Sequence, residues 1–147
     1  MPSADFERKL DQYADMLIRS GLNLQPGQRL LIGLGIMVPG VPLEAAPLVR
    51  SVVNKAYQAG ARYIDVIWDD DTLTLARFQH APRNSFEEFP TWKARLALDY
   101  AQHGDAKLVI SGENPDLLAG QDPQLVGLVQ KTTSLNMKPA TGLTARP

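Results

Sequence analysis

Cysteine is absent from this 147-residue chain, which excludes both a disulfide framework and a thiolate metal site. Histidine occurs only at His80 and His103, on different predicted helices, and neither belongs to a His-Glu-x-x-His pattern or a close histidine and carboxylate spacing suited to zinc. An excess of one charge is also missing. Fifteen basic against sixteen acidic residues leave a formal charge of -1 with no basic stripe to neutralise phosphates, so nucleic acid is not an expected partner. No apolar run approaches the roughly 20 residues of a membrane span. The start, Met1-Pro2-Ser3-Ala4-Asp5-Phe6-Glu7, lacks the basic region and apolar core of a secretory leader. A soluble cytoplasmic protein with no membrane partner is the expectation. Internal repeats and low-complexity tracts are lacking as well.

What is present is enough apolar content, 44% of residues, for one core, burying on the order of 70% of the unfolded surface. The chain is organised around the strand Arg29–Ile36, entered through Gln25-Pro26-Gly27-Gln28, a sequence suited to a type II turn because proline presets the first central residue and glycine accepts the positive φ of the second. The strand is apolar on both faces, as a central parallel strand covered on two sides by helices would be. Before it, Phe6, Leu10, Tyr13, Ala14, Leu17 and Ile18 form a stripe at helical spacing, with Gly21 as the expected stop. After it, a helix should begin near Leu43 with Pro47 in its first turn and end at Gly60. Arg62–Trp68 is then β-branched and aromatic, and it completes a β-α-β crossover. The fold class expected is three-layer α/β, with a mostly parallel sheet flanked by helices.

Asp69, Asp70 and Asp71 close this second strand, and Thr72–His80 reads as a short helix capped by one of those carboxylates. Trp92, Leu96 and Tyr100 share one face of the next helix, which Gly104 ends. Lys107–Gly112 is the third expected strand, of the same buried kind. Asn114-Pro115 and Asp122-Pro123 each place proline after a capping residue, so two helices should begin there, the second lasting to about Met137, since Lys138 precedes Pro139. Residues 1–138 therefore read as one α/β domain and 139–147 as an interdomain link or a frayed tail.

Chemistry-bearing candidates are few. Gly33, Gly35 and Gly40 lie between a strand and a helix, where amides can cradle a phosphate, but the third glycine comes too late for Gly-x-Gly-x-x-Gly, and Pro39 and Pro42 remove donors. Ser111 ahead of Gly112 has Val109 and Glu113 where a nucleophile elbow needs glycines. Trp68, Trp92 and Ser111 read as core and cap residues. Three consecutive aspartates seldom converge on one cation and are better explained by helix capping. Because the carboxyl end of a strand is where ligands bind in open α/β sheets, Asp69, Asp70, Arg77 and His80 are the candidate cleft rim.

Three stretches together resemble the N-terminal region of the thermophilic-type metalloaminopeptidases, the aminopeptidase T, S and II enzymes. They are Asn23–Gln28 ahead of Leu30-Leu31-Ile32; Trp68-Asp69-Asp70 with Arg77 and His80-Ala81-Pro82 ahead of Phe89-Pro90-Thr91-Trp92; and Ser111–Gly120 with Asp122-Pro123. The likeness runs from about Phe6 to Met137. It implies an enzyme that removes N-terminal residues from peptides using two divalent ions, commonly cobalt or zinc, in a homodimer. In that family the metal ligands belong to a C-terminal domain and the N-terminal α/β domain forms part of the cleft wall. The resemblance therefore implies a chain that lacks the catalytic domain, with no catalytic or metal-binding residue of its own. Two other readings of the residues stay open: a small nucleotide- or phosphate-binding module using the Gly33 to Gly40 loop, and a stand-alone dimerising interaction domain.

Overall fold

A computed structural model describes residues 3–35, 37–112 and 114–144. Three strands, β1 (Arg29–Ile32), β3 (Tyr63–Val66) and β5 (Ala106–Leu108), form a wholly parallel sheet in the order β3-β1-β5. Side chains alternate across β1. Leu30 and Ile32 face one core with Ala14, Ile18, Val49, Val52 and Ala56, while Leu31 faces a second with Ala97, Tyr100, Met137 and Ala140. The first core packs α1 (Ala4–Met16) and α2 (Ala46–Gln58), and the second packs α4 (Thr91–Gln102) and α5 (Pro123–Thr144). Helix, sheet, helix is the expected three-layer arrangement.

The expected strand Arg29–Ile36 is shorter, ending at Ile32, and Ile36 lies outside the described residues. The second expected strand is divided. Tyr63–Val66 pairs with β1, and after Ile67 the chain continues as β4 (Trp68–Asp69), which pairs in parallel with β2 (Val41–Pro42). The partner changes because the chain leaves β1 at Gly33 and returns at Gly40. Gly33 has φ 107°, and a Cβ there would stand 2.5 Å from the Ile67 carbonyl oxygen. At Gly40 a Cβ would stand 2.6 Å from the Trp68 carbonyl carbon. Only glycine allows backbones this close.

Other expectations needed correction. Helix α1 passes into a π-helical turn (Leu17–Gly21), and the left-handed residue that ends it is Asn23, φ 48°, rather than Gly21. Asparagine tolerates that conformation through its short polar side chain. Of the predicted stripe, Ala14 and Ile18 are buried but Phe6 and Tyr13 are half exposed. Trp68 and Trp92 are likewise too exposed to be core. The third strand is a half-buried edge strand, because β1 occupies only one of its sides.

Asn114-Pro115 starts turns rather than a helix. Asn114 Oδ1 accepts from the Asp116 amide as a cap would, yet the bonds that follow, Leu117 N to Asn114 O and Ala119 N to Asp116 O, span three residues. A segment this short does not repay helix nucleation. Asp122 does cap α5, its Oδ1 accepting from the Gln124 amide at 2.9 Å. That helix does not stop at Met137. It carries Pro139 and continues to Thr144, forfeiting the bond to the Leu135 carbonyl. Burial of Met137 and Ala140 on either side of the proline offsets that loss. Residues 145–147 of the expected link lie outside the described residues.

At the amino end of the sheet, Arg29 joins three elements. Its guanidinium lies 4.1 Å over the Tyr100 ring and pairs with Asp105 at 2.7 Å and Asp99 at 2.9 Å. Tyr100 donates its hydroxyl proton to Asp65 at 2.6 Å. Burial, with the Asp65 carboxylate, pushes that phenol well above its ordinary value.

Helix α2 is closed by Gly60, which sits at φ 102° with room for a Cβ only 3.1 Å from Pro26 of the entry turn. Gly60→Val should destabilise the fold by at least ~1 kcal/mol, since a β-branched residue resists left-handed φ and would also press on the turn. An unchanged urea midpoint would contradict this assignment.

Candidate functional site

The strand order places β3 and β5 on opposite sides of β1, so the chain reverses its winding direction between β1 and β5. At such a switch point the loops leaving the two strands diverge to opposite faces and open a crevice at their carboxyl ends. A cleft of about 840 Å³ lies there, lined by Leu34 and Gly35 after β1 and by Ser111 and Gly112 after β5. Helix α3 (Asp71–His80), the Phe86–Pro90 segment, the 114–119 turns and one face of α5 complete its wall.

Of the candidate rim residues, Asp69 and Arg77 line the cleft. Arg77 is drawn inward, its Nη2 donating to the Ser85 carbonyl at 3.2 Å and its guanidinium resting 5.0 Å from the Phe86 ring centroid. Asp70 is the capping carboxylate of α3, accepting from the Thr72 amide at 2.9 Å. It does not line the cleft. Neither does His80, which is exposed at the far end of α3, roughly 14 Å along the axis from Asp71 at 1.5 Å per residue. The structure therefore gathers two of the four.

The residue that sequence reasoning missed is Lys93. It projects into the same cleft from α4, and its Nζ donates to the Pro39 carbonyl at 3.3 Å. Burial pushes its ammonium below the usual lysine range, against the opposing pull of Asp69. Burial pushes the Asp69 carboxyl above the usual carboxylate range, with the Asp70 amide and Lys93 opposing and the neighbouring aspartates assisting. No motif marks Lys93 in the chain. The switch-point rule concerns residues after the strands and does not reach Lys93, which sits on α4 ahead of β5.

The glycine loop offers little to a phosphate. The Gly33 amide donates to the Leu108 carbonyl, Gly35 to Val38 and Val41 to Ile67, so three of its amides are already engaged, and Pro39 has none to offer. A cation fares no better. Among the described residues no group of three or more histidine, aspartate and glutamate side chains converges as metal ligands would. His103 bonds the Asp99 carbonyl one turn back, away from Asp69 to Asp71.

A family model described as thermophilic metalloprotease (M29) matches residues 6–146. Aminopeptidase 2 of Geobacillus stearothermophilus is 40% identical over 129 residues, 88% of this chain and 30% of that protein. Aminopeptidase T of Thermus thermophilus is 35% identical over 135 residues, 92% of this chain and 31% of that one. The structure of wild-type AmpT from Thermus thermophilus superposes with a TM-score of 0.84 at 34% identity, covering 95% of this chain and 33% of that one. The chain thus spans about a third of the length of the relatives it matches.

A carboxyl that holds its proton more tightly in the folded than in the unfolded chain favours folding below its ordinary value of 3.8, and that benefit is lost as the pH rises through its raised value. Asp69→Asn should therefore raise the melting temperature at pH 7 and not at pH 3, by the equivalent of less than about 1 kcal/mol because solvent screens the rim. Losing that carboxylate should also lower the Lys93 titration further, read from lysine side-chain NMR. An equal melting shift at both pH values would contradict this.

Proposed function

We propose, from the premise that this chain belongs to the thermophilic metalloprotease (M29) family, that it forms the N-terminal α/β part of a metal-dependent aminopeptidase and that its cleft is a wall against which the peptide lies. The observation that carries this reading is the agreement in both sequence and fold with aminopeptidase T over nearly the whole chain. The finer reading is a cytoplasmic homodimer that uses two divalent ions, cobalt or zinc, with Asp69 and Arg77 on the cleft rim and Asp70 and His80 at the two ends of the helix beside it. A fold supplies a scaffold and not a reaction, so the chemistry has to come from ligands.

The described residues do not fit a two-metal centre. Such a centre needs several carboxylates and imidazoles converging so that the ions share an activated water. Here one of the three aspartates is committed to capping, and the two histidines sit on α3 and just after α4. In this reading the ions are held by the part of the relatives' length that this sequence does not match. What the chain supplies is the apolar cleft and its charged rim.

The test uses a leucyl chromogenic substrate with Co²⁺ or Zn²⁺. The 147-residue chain alone should show neither metal-dependent turnover nor stoichiometric metal uptake by calorimetry. A chimera in which it replaces the matched region of Thermus thermophilus aminopeptidase T should turn the substrate over. Turnover by the chain alone that is abolished by His80→Ala, or a folded, metal-loaded chimera with no activity, would overturn the reading.

A further inference from the structure

Lys93 reaches into the cleft with only neutral groups beside its amine. Its Nζ meets the Pro39 carbonyl at 3.3 Å and lies 5.7 Å from the Trp92 ring centroid, and it forms no ion pair among the described residues. An ammonium held there gives up water without gaining a carboxylate contact. The uncharged amine is therefore favoured more than on an open surface, although the more distant Asp69 opposes this. An uncharged lysine amine is a nucleophile toward carbonyl carbon. Arg77 on the same lining cannot serve, because a guanidinium keeps its proton.

The surroundings select the partner. Phe78, Phe86, Phe89, Leu118 and Met137 face the same space of about 840 Å³, within the roughly 300–1,000 Å³ of small-ligand sites. An apolar body entering it removes both surfaces from water and holds its own reactive carbon near the amine. The carboxylates of Glu44, Asp69, Asp71 and Glu88 stand on that lining without an ion pair among the described residues, so an anionic electrophile is repelled. Lys107 supplies the contrast. It too is half-buried, and burial holds its ammonium below the usual lysine range, but it lies on β5 outside the cleft.

We propose that Lys93 is a covalent site for uncharged apolar aldehydes, which it holds as an imine inside the cleft. The ammonium first gives one proton to solvent. The nitrogen lone pair then forms a bond to the aldehyde carbon, the carbonyl π pair moves to oxygen, and a proton passes from nitrogen to that oxygen to give a carbinolamine. The hydroxyl departs as water with the remaining N–H proton, and a C=N double bond replaces the C–O bond. Nothing is oxidised or reduced.

The test treats the whole chain at neutral pH with limiting cyclohexanecarbaldehyde and cyanoborohydride, which reduces an imine to a stable amine, and maps the labelled lysines by peptide mass spectrometry. Label at Lys93 should exceed that at Lys55 or Lys107 at least about tenfold, whereas glyceraldehyde, with a polar body, should show no such preference. Leu118→Ser should cut the Lys93 label at least about threefold and leave Lys107 unchanged. If that variant does not fold, the two aldehydes compared on the unaltered chain still decide. Label spread evenly over the lysines, or as much at Lys107 as at Lys93, would overturn the proposal. So would the same preference with glyceraldehyde, or a folded Leu118→Ser chain labelled as before.

Discussion

The carbonyl of Ile67 is the point on which the carboxyl end of the sheet depends. It accepts the Val41 amide at 2.7 Å, and it stands where a side chain at Gly33 would have to go. Because Gly33 and Gly40 have no Cβ, the chain can leave β1, form a loop, and come back to pair beside the strand it has just passed. The Ile67 amide meanwhile bonds back to Ile32, so one strand serves two partners without leaving its own backbone groups unmet. The excursion between the two glycines is what raises the Gly35 to Pro39 loop into one wall of the cleft.

The opposite end of the sheet is closed by charge. Arg29 links the start of β1 to α4 through Asp99 and to the turn before β5 through Asp105, and Tyr100 links α4 to β3 through Asp65. The Nη2 of Arg29 is buried without a hydrogen-bond partner among the described residues, and stacking of the guanidinium on the Tyr100 ring is the contact that compensates. One end is therefore held by side-chain ion pairs and ring stacking, and the other by backbones in close approach.

Membership of the metalloprotease family and the shape of the cleft bear on different parts of the function. The family implies a metal, and the described residues offer no place for one. The cleft instead combines apolar walls with a rim whose unpaired charges are negative. In the reading proposed above, such a surface would serve orientation, a substantial part of hydrolytic rate when the reacting groups are supplied from elsewhere.

Local physics made much of the architecture legible in the chain. Pro26-Gly27 dictates the entry turn, since Gly27 takes φ 86° and the Gln28 amide bonds Gln25. Asp70 and Asp122 dictate helix starts, and the doubly apolar Leu30-Leu31-Ile32 dictates a central strand, because capping, turn geometry and two-faced burial act within a few residues. The helix across Pro139, the failure of a helix at Asn114-Pro115 and the π turn before Asn23 were not legible. At Pro139 the local signal was outweighed by burial of Met137 and Ala140, and at Asn114 by a segment too short to repay helix nucleation, which settles into three-residue turns. Only the assembled sheet decided the site. Asp69 and Lys93 are distant in sequence, and they line one cleft because β1 lies between β3 and β5 and thereby opens the crevice at their ends. A chain encodes its turns and caps through neighbours, whereas which loops face each other follows from strand order, a property that no short stretch possesses.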